Sequence, residues 1–165
     1  EDLKNIKINK EIYTEIEITH QIQKVKEADF IITATNAPEA LIKGEDLKSG
    51  AVVVDDVQPT DLDKSAFERD DVLILEAGAV HTPGITTNFN MGLKNRYDNF
   101  CCLAEVLILA SQEKFDDFVI GRAKEEQVEY IAQKGLGLGF KIAEYQNLYG
   151  LIKEDKILKI KEKHA

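Results

Sequence analysis

The 165 residues carry 30 acidic against 21 basic side chains, a net charge of −9, and are 44% hydrophobic. That is the composition of a globular domain large enough to bury a core. The charge excludes a field that gathers phosphates, and with it a nucleic-acid binder or a basic membrane-surface protein. No apolar run approaches the ~20 residues of a membrane span. The two cysteines are adjacent, which suits a reducing, cytoplasmic home better than a structural disulfide.

Residues 1–11 are polar and read as the tail of a helix that begins before Glu1. Ile12, Ile16 and Ile18 alternate with Tyr13, Glu15 and Glu17, the period of a half-buried edge strand. Thr19 is placed to cap a short helix from His20 to Ala28. Phe30 to Thr35 is a β-branched run, of the kind covered on both faces in parallel sheets. It stops at Asn36-Ala37-Pro38, a turn signal. The pattern recurs at Ala51 to Asp55 and at Val72 to Leu75, with a short helix or turn at Leu41 to Leu47 and a polar connection at Thr60 to Arg69. Alternation of this kind predicts right-handed crossovers and adjacent parallel strands. His81 to Leu93 reads as a loop, long enough to be functional or mobile.

Asp98 and Asn99 are capping types, and Phe100 to Ala110 is apolar on almost every side, broken by Glu105. The expectation is a long buried helix, with sheet before it and helical cover after it. Gly121 is expected to end or kink that helix. Ala123 to Lys134 is amphipathic with Val128, Ile131 and Ala132 inward, and the alternate glycines from Gly135 to Gly139 read as its C-terminus. The tail from Lys153 reads as a surface helix.

In open α/β sheets ligands bind beyond the C-terminal ends of the strands. Three such ends, Thr33 to Pro38, Asp55 to Gln58 and Gly78 to His81, are therefore expected to meet at one crevice. The segment from Ala28 to Asp56 looks like the second half of a nicotinamide-dinucleotide domain. That likeness assigns Thr33, Ala34, Thr35, Asn36 and Ala37, with Gly78 and Ala79, to NADP or NAD. The Gly-rich phosphate loop is missing from the chain, so the first strands are expected before Glu1 and this part alone is expected to bind cofactor weakly. The fold expectation is α/β: one Rossmann-like domain over 1–165, an open parallel sheet lacking its first strands. Its sheet portion is expected over 1–80 and its helical cover over 94–165, and the domain is expected to be the C-terminal part of a larger enzyme. An uncovered sheet edge is expected, for a second copy or for the missing N-terminal portion to close.

Gly78-Ala79-Val80, Asn99 to Glu105 (NFCCLAE), Asp117 to Arg122 (DFVIGR) and Gly139-Phe140-Lys141 together resemble the long-chain fatty acyl-[acyl carrier protein] reductases over roughly residues 1–142. Residues 81–91 depart from the family pattern. The resemblance implies NADPH-dependent reduction of an acyl thioester to an aldehyde, with the nucleophile on Cys102 and not Cys101. His81, after a strand end, is a candidate proton donor, and His81, Lys94 or Arg96 a candidate source of help for the thiolate. Cys102 is expected to face the strand-end crevice and Cys101 the core. The alternatives are an amino-acid or shikimate-type dehydrogenase that needs no thiol, and a non-catalytic Rossmann-like association module. No His, Cys and carboxylate cluster has zinc spacing, so no metal is expected.

Overall fold

The computed structural model describes residues 17–164. The polar lead-in and most of the edge strand expected at Ile12 to Ile18 lie outside the described residues. Thr19 does not cap an α-helix. Its Oγ1 accepts from Gln21 N at 3.1 Å ahead of a short 3-10 helix, Ile22–Glu27.

Strands β1 (Phe30–Thr33), β2 (Val52–Asp55) and β3 (Leu73–Glu76) form a parallel sheet in the order β1-β2-β3. The expected adjacency and direction hold. The chain is thus mixed α/β, with a small parallel sheet and helices. Ile31, Val53 and Ile74 stand level across the sheet and project to one face. There they meet Ile42, Leu47, Leu62 and Ala66 from the crossovers, which makes the larger core. The other face is covered only in part. Leu73 is buried, but Phe30 and Ile32 on β1 are 60% and 64% exposed. Alternate strand residues point to opposite faces, so a β-branched run meets both covers only where both exist.

The crossovers are tightly joined. The first contains a 3-10 turn, Gly44–Asp46, and the second contains helix α1, Lys64–Phe67, capped by Asp63. Gly44 N donates to Ser65 Oγ at 2.9 Å. A Cβ at Gly44 would stand 2.5 Å from the carbonyl oxygen of Ser65. That oxygen belongs to backbone and cannot swing away. Gly44→Ala is therefore expected to destabilise the fold by about 1–3 kcal/mol, the usual cost of overpacking. Thermal unfolding of the variant checks it, and an unchanged midpoint would contradict the contact.

After β3 the chain leaves the parallel sheet. β4 (Ala79–His81), β5 (Asp98–Phe100) and β6 (Lys141–Ile142) form an antiparallel sheet in the order β5-β4-β6. A small hairpin, β7 (Gln146–Asn147) and β8 (Gly150–Leu151), follows. The portion 94–165 is therefore not helical cover alone. Strands of two or three residues are too short to show a period.

Helix α2 runs from Cys101 to Ser111 and α3 from Glu125 to Gly137. They pack on β4 through Ala104, Ile108 and Phe140, with Val80, Leu107 and Ile131 at the margin. The expected burial of α2 on all sides is overturned. Only Ala104 and Ile108 are buried, and Val106 is 58% exposed. The helix is covered on one side, so its remaining apolar residues face outward. It also ends earlier than expected. It stops at Ser111, with Glu113 at φ 54, and Gly121 lies in the loop beyond. On α3 only Ile131 of the three expected inward residues is even half-buried; Val128 and Ala132 are exposed. Gly139 at φ +80 follows the end of α3, as expected of a helix C-terminus. Helix α4, Glu154–Glu162, lies on the surface and is anchored by Ile160, which is 1% exposed.

Candidate active site at the strand ends

The register aligns Thr33 with Asp55 and Asp55 with Glu76, so the three strands end together. Continuity into the next turns is set by backbone bonds from Asp56 N to Thr33 O and from Ala77 N to Asp55 O, both 2.9 Å. The ends of the three strands lie level, but of the third expected end, Gly78 to His81, residues Ala79–His81 leave the parallel sheet as β4.

The cofactor candidates divide once their side chains are seen. Thr33 is buried and donates its hydroxyl to Asp55 Oδ1 at 2.5 Å, so it is not on the crevice surface. Thr35 donates to Asp61 Oδ1 at 2.6 Å and accepts from Ala37 N at 3.1 Å. Its hydroxyl holds the loop and is not free for a ligand. Asp61 is 1% exposed, and its Oδ2 has no partner among the described residues. Sequence reasoning missed Asp61, which sits in a connection that reads as merely polar. Ala34 and Asn36 remain exposed, and Ala37, Gly78 and Ala79 are half-buried; Gly78 and Ala79 follow β3, on the far side of β2 from the end of β1. Gly78 is at φ +72, in the left-handed region open to glycine.

The thiols stand at this turn. Helix α2 starts directly out of β5, with Phe100 as N-cap and no side-chain cap bond. Cys101 and Cys102 are therefore the first two helical residues, where the helix end favours a negative charge. The Cys101 amide donates to Gly78 O at 2.7 Å. Its Sγ lies 3.2 Å from where a Cβ on Gly78 would stand, with Asp56 Oδ1 at 3.8 Å from the same point. Burial pushes the Cys101 thiol up, and the neighbouring Cys102 and Asp56 push the same way. Cys102 is exposed. The arrangement reverses the expected one: Cys101 abuts the strand-end turn, and Cys102 points to solvent. Neighbouring helix positions differ by ~100°, so one of the two must turn away.

His81 does not join the thiols. It stands opposite Asp98 in the β4–β5 register, at the end of β4 remote from Gly78. Its Nδ1 lies 2.9 Å from Oδ1 of the buried Asp98. With the carboxylate accepting, Nδ1 is the donor of this bond and Nε2 points away from it. Asp98 and Asn99 were expected as helix caps. Instead Asp98 pairs with His81, and Asn99 Nδ2 donates to Thr82 Oγ1 at 2.5 Å. Asp98 also lines an open pocket of about 490 Å³ with Arg96, Asn95 and the loop from Thr86 to Met91. Lys94 Nζ reaches Leu148 O at 3.5 Å, and Arg96 lies over the Tyr97 ring. Both are engaged away from the cysteines.

Burial, with a smaller push from Asp55, raises Glu76, against the opposing charge of Lys94; Gln58 Nε2 donates to it at 2.9 Å. A raised carboxyl stabilises the fold below its unfolded value, and that contribution is lost as pH rises through the folded value. Glu76→Gln is therefore expected to stabilise the protein at neutral pH, with the gain vanishing toward about pH 4. Urea unfolding at both pH values checks this. Destabilisation at neutral pH would contradict it.

No family model matches the chain, and no curated protein matches it.

Proposed function

We propose that this chain is the nicotinamide-facing part of an NAD(P)-dependent reductase that converts an acyl thioester to an aldehyde through an acyl-enzyme on Cys102. The observation that supports the reading is the pair of thiols in the first turn of α2, which Cys101 joins to the Gly78 turn just past β3 while Cys102 stands open to an incoming thioester. In this reading the parallel sheet is the second half of a Rossmann-like domain.

The fit of a dinucleotide is to one end only. Ala34, Asn36, Ala37, Gly78 and Ala79 present small or short side chains and would hold the ribose and nicotinamide. A glycine-rich turn from strand to helix, the usual seat of the diphosphate, has no counterpart among the described residues. The alternate glycines near Gly137 end α3 instead. Bound at this turn, a reduced nicotinamide supplies hydride.

The chain's own chemistry is acyl transfer. The Cys102 thiolate attacks the thioester carbonyl carbon, a new C–S bond forms, and the original C–S bond breaks to release the carrier thiolate, which takes a proton from solvent. The uncapped helix end stabilises negative charge on the attacking sulfur and on the carbonyl oxygen. A covalent step of this kind divides one difficult reaction into two easier ones. Cys101, whose thiol is pushed up by its partial burial, stays out of it.

The assay supplies an acyl-pantetheine thioester and reduced nicotinamide dinucleotide, and measures aldehyde against cofactor oxidised. The reading expects equal amounts of both, and cofactor oxidation without aldehyde would overturn it. The His81–Asp98 pair favours a second reading, a dehydrogenase without a covalent step in which His81 exchanges a proton with a polar substrate. Turnover that survives replacement of both cysteines by serine would select it.

A further inference from the structure

We propose that the cavity enclosed by the ends of β2 and β3, helix α1 and the β7–β8 hairpin is a binding site for a small guanidinium compound, whose N–H groups bridge Asp55 and Glu76. The site stands apart from the acyl-transfer reading. Neither thiol lines it, nor does any residue assigned to the nicotinamide.

The sheet register places the two carboxylates. Asp55 and Glu76 are level on adjacent parallel strands, whose spacing is roughly 4.8 Å. They lie two residues beyond Val53 and Ile74, so both project to the face that carries the larger core. There they meet a cavity of about 120 Å³, walled by Phe67 of α1, by Ile74 and by Leu148 in the hairpin turn. At ~30 Å³ for each water, that is room for about four waters. One planar head group fills the same space, with a methyl or methylene against the apolar wall.

The unpaired atoms in the cavity are acceptors. Asp55 lines it and is 8% exposed. Both donors to this carboxylate, the Thr33 hydroxyl and the Asp61 amide, go to Oδ1. Its Oδ2 has no hydrogen-bond partner among the described residues. Glu76 Oε1 accepts from Gln58 Nε2 at 2.9 Å, and Oε2 is likewise without a partner among them. The other lining amide, Asn147, directs its Nδ2 to Ile74 O at 3.4 Å. No lysine, arginine or histidine forms an ion pair with either carboxylate among the described residues. Lys94, whose charge acts on Glu76, directs its Nζ to Leu148 O instead.

Two like charges drawn out of water side by side are costly until a cation joins them. A guanidinium supplies the charge and a planar fork of N–H donors that matches carboxylate oxygens. A metal ion suits the site less, because no group of three His, Cys, Asp or Glu side chains is gathered to hold one among the described residues.

The test titrates the full chain with methylguanidinium chloride at constant ionic strength. NMR follows the side-chain amide signals of Gln58 and Asn147. Saturable shifts of both are expected, and no response to N-methylurea, the neutral analogue of the same shape. Glu76→Gln is expected to weaken binding by about tenfold or more, the loss of a charge-assisted contact. The stability gain expected of that variant at neutral pH keeps lost binding distinct from lost fold. These readouts involve no reductase assay, so failure of the enzyme reading leaves them interpretable. A response that never saturates, an equal response to N-methylurea, or undiminished affinity in Glu76→Gln would overturn the proposal.

Discussion

Cys102→Ser is expected to lower aldehyde formation by about three orders of magnitude or more, as removal of a covalent nucleophile does. The hydroxyl of serine is far less acidic than a thiol, and nothing at the α2 terminus is placed as a base to activate it. Folding should be nearly untouched, because Cys102 is exposed and packs against nothing in the core. Cys101→Ser gives the contrasting result. It removes a sulfur that lies against Gly78 but is still partly open to solvent, so stability changes by under about 1 kcal/mol and turnover persists. Steady-state rates with an acyl-pantetheine thioester check both. Full activity in Cys102→Ser would remove the covalent step, and loss confined to Cys101→Ser would move the nucleophile to the thiol at the strand-end turn.

The largest expected loss of stability is at Arg69. Its Nε and Nη2 donate to the two carboxylate oxygens of Asp71 at 2.7 and 2.6 Å, and its Nη1 donates to Gly44 O at 2.7 Å and Leu47 O at 2.6 Å. One guanidinium thus ties the turn of the first crossover to the lead-in of β3. It is 25% exposed, so solvent replaces these bonds poorly. Arg69→Ala leaves two carbonyls and a carboxylate without their donor, at a cost of about 2–4 kcal/mol. Lysine keeps the charge but lacks the planar fork, so Arg69→Lys should recover less than half of the loss. The Arg69 guanidinium holds Asp71 well below the usual carboxylate range. A depressed carboxyl stabilises above its unfolded value, and the contribution is lost as pH falls through the folded one. The difference between wild type and Arg69→Ala should therefore shrink in acid. Chemical denaturation at neutral and acid pH measures it, and a change within ~0.5 kcal/mol at neutral pH would contradict the clamp.

The parallel sheet is legible in the sequence because β-branched runs such as Ile31-Ile32 and Val52-Val53-Val54 carry their own signal. The level strand ends follow from it. The antiparallel sheet is not legible. Asp98 and Asn99 are types that favour caps and turns, and only the pairing of β5 with β4 recruits them into a strand. That one displacement moves the start of α2 from Asp98 to Cys101 and places both thiols in the first turn. It also hides the His81–Asp98 pair, since two residues 17 apart show no local pattern. The misjudged burial of α2 has a different cause. Apolar composition reports what a helix tolerates, while burial depends on how many elements surround it, and here α3 and β4 cover a single side.

The central claim is an acyl group carried on Cys102. The full chain, reduced and incubated with an acyl-pantetheine thioester in the absence of any nicotinamide, is digested and the cysteine-bearing peptide is sequenced by mass spectrometry. The account predicts one acyl mass on Cys102, removed by hydroxylamine and absent from Cys102→Ser. An unmodified peptide, or acylation confined to Cys101, would contradict it.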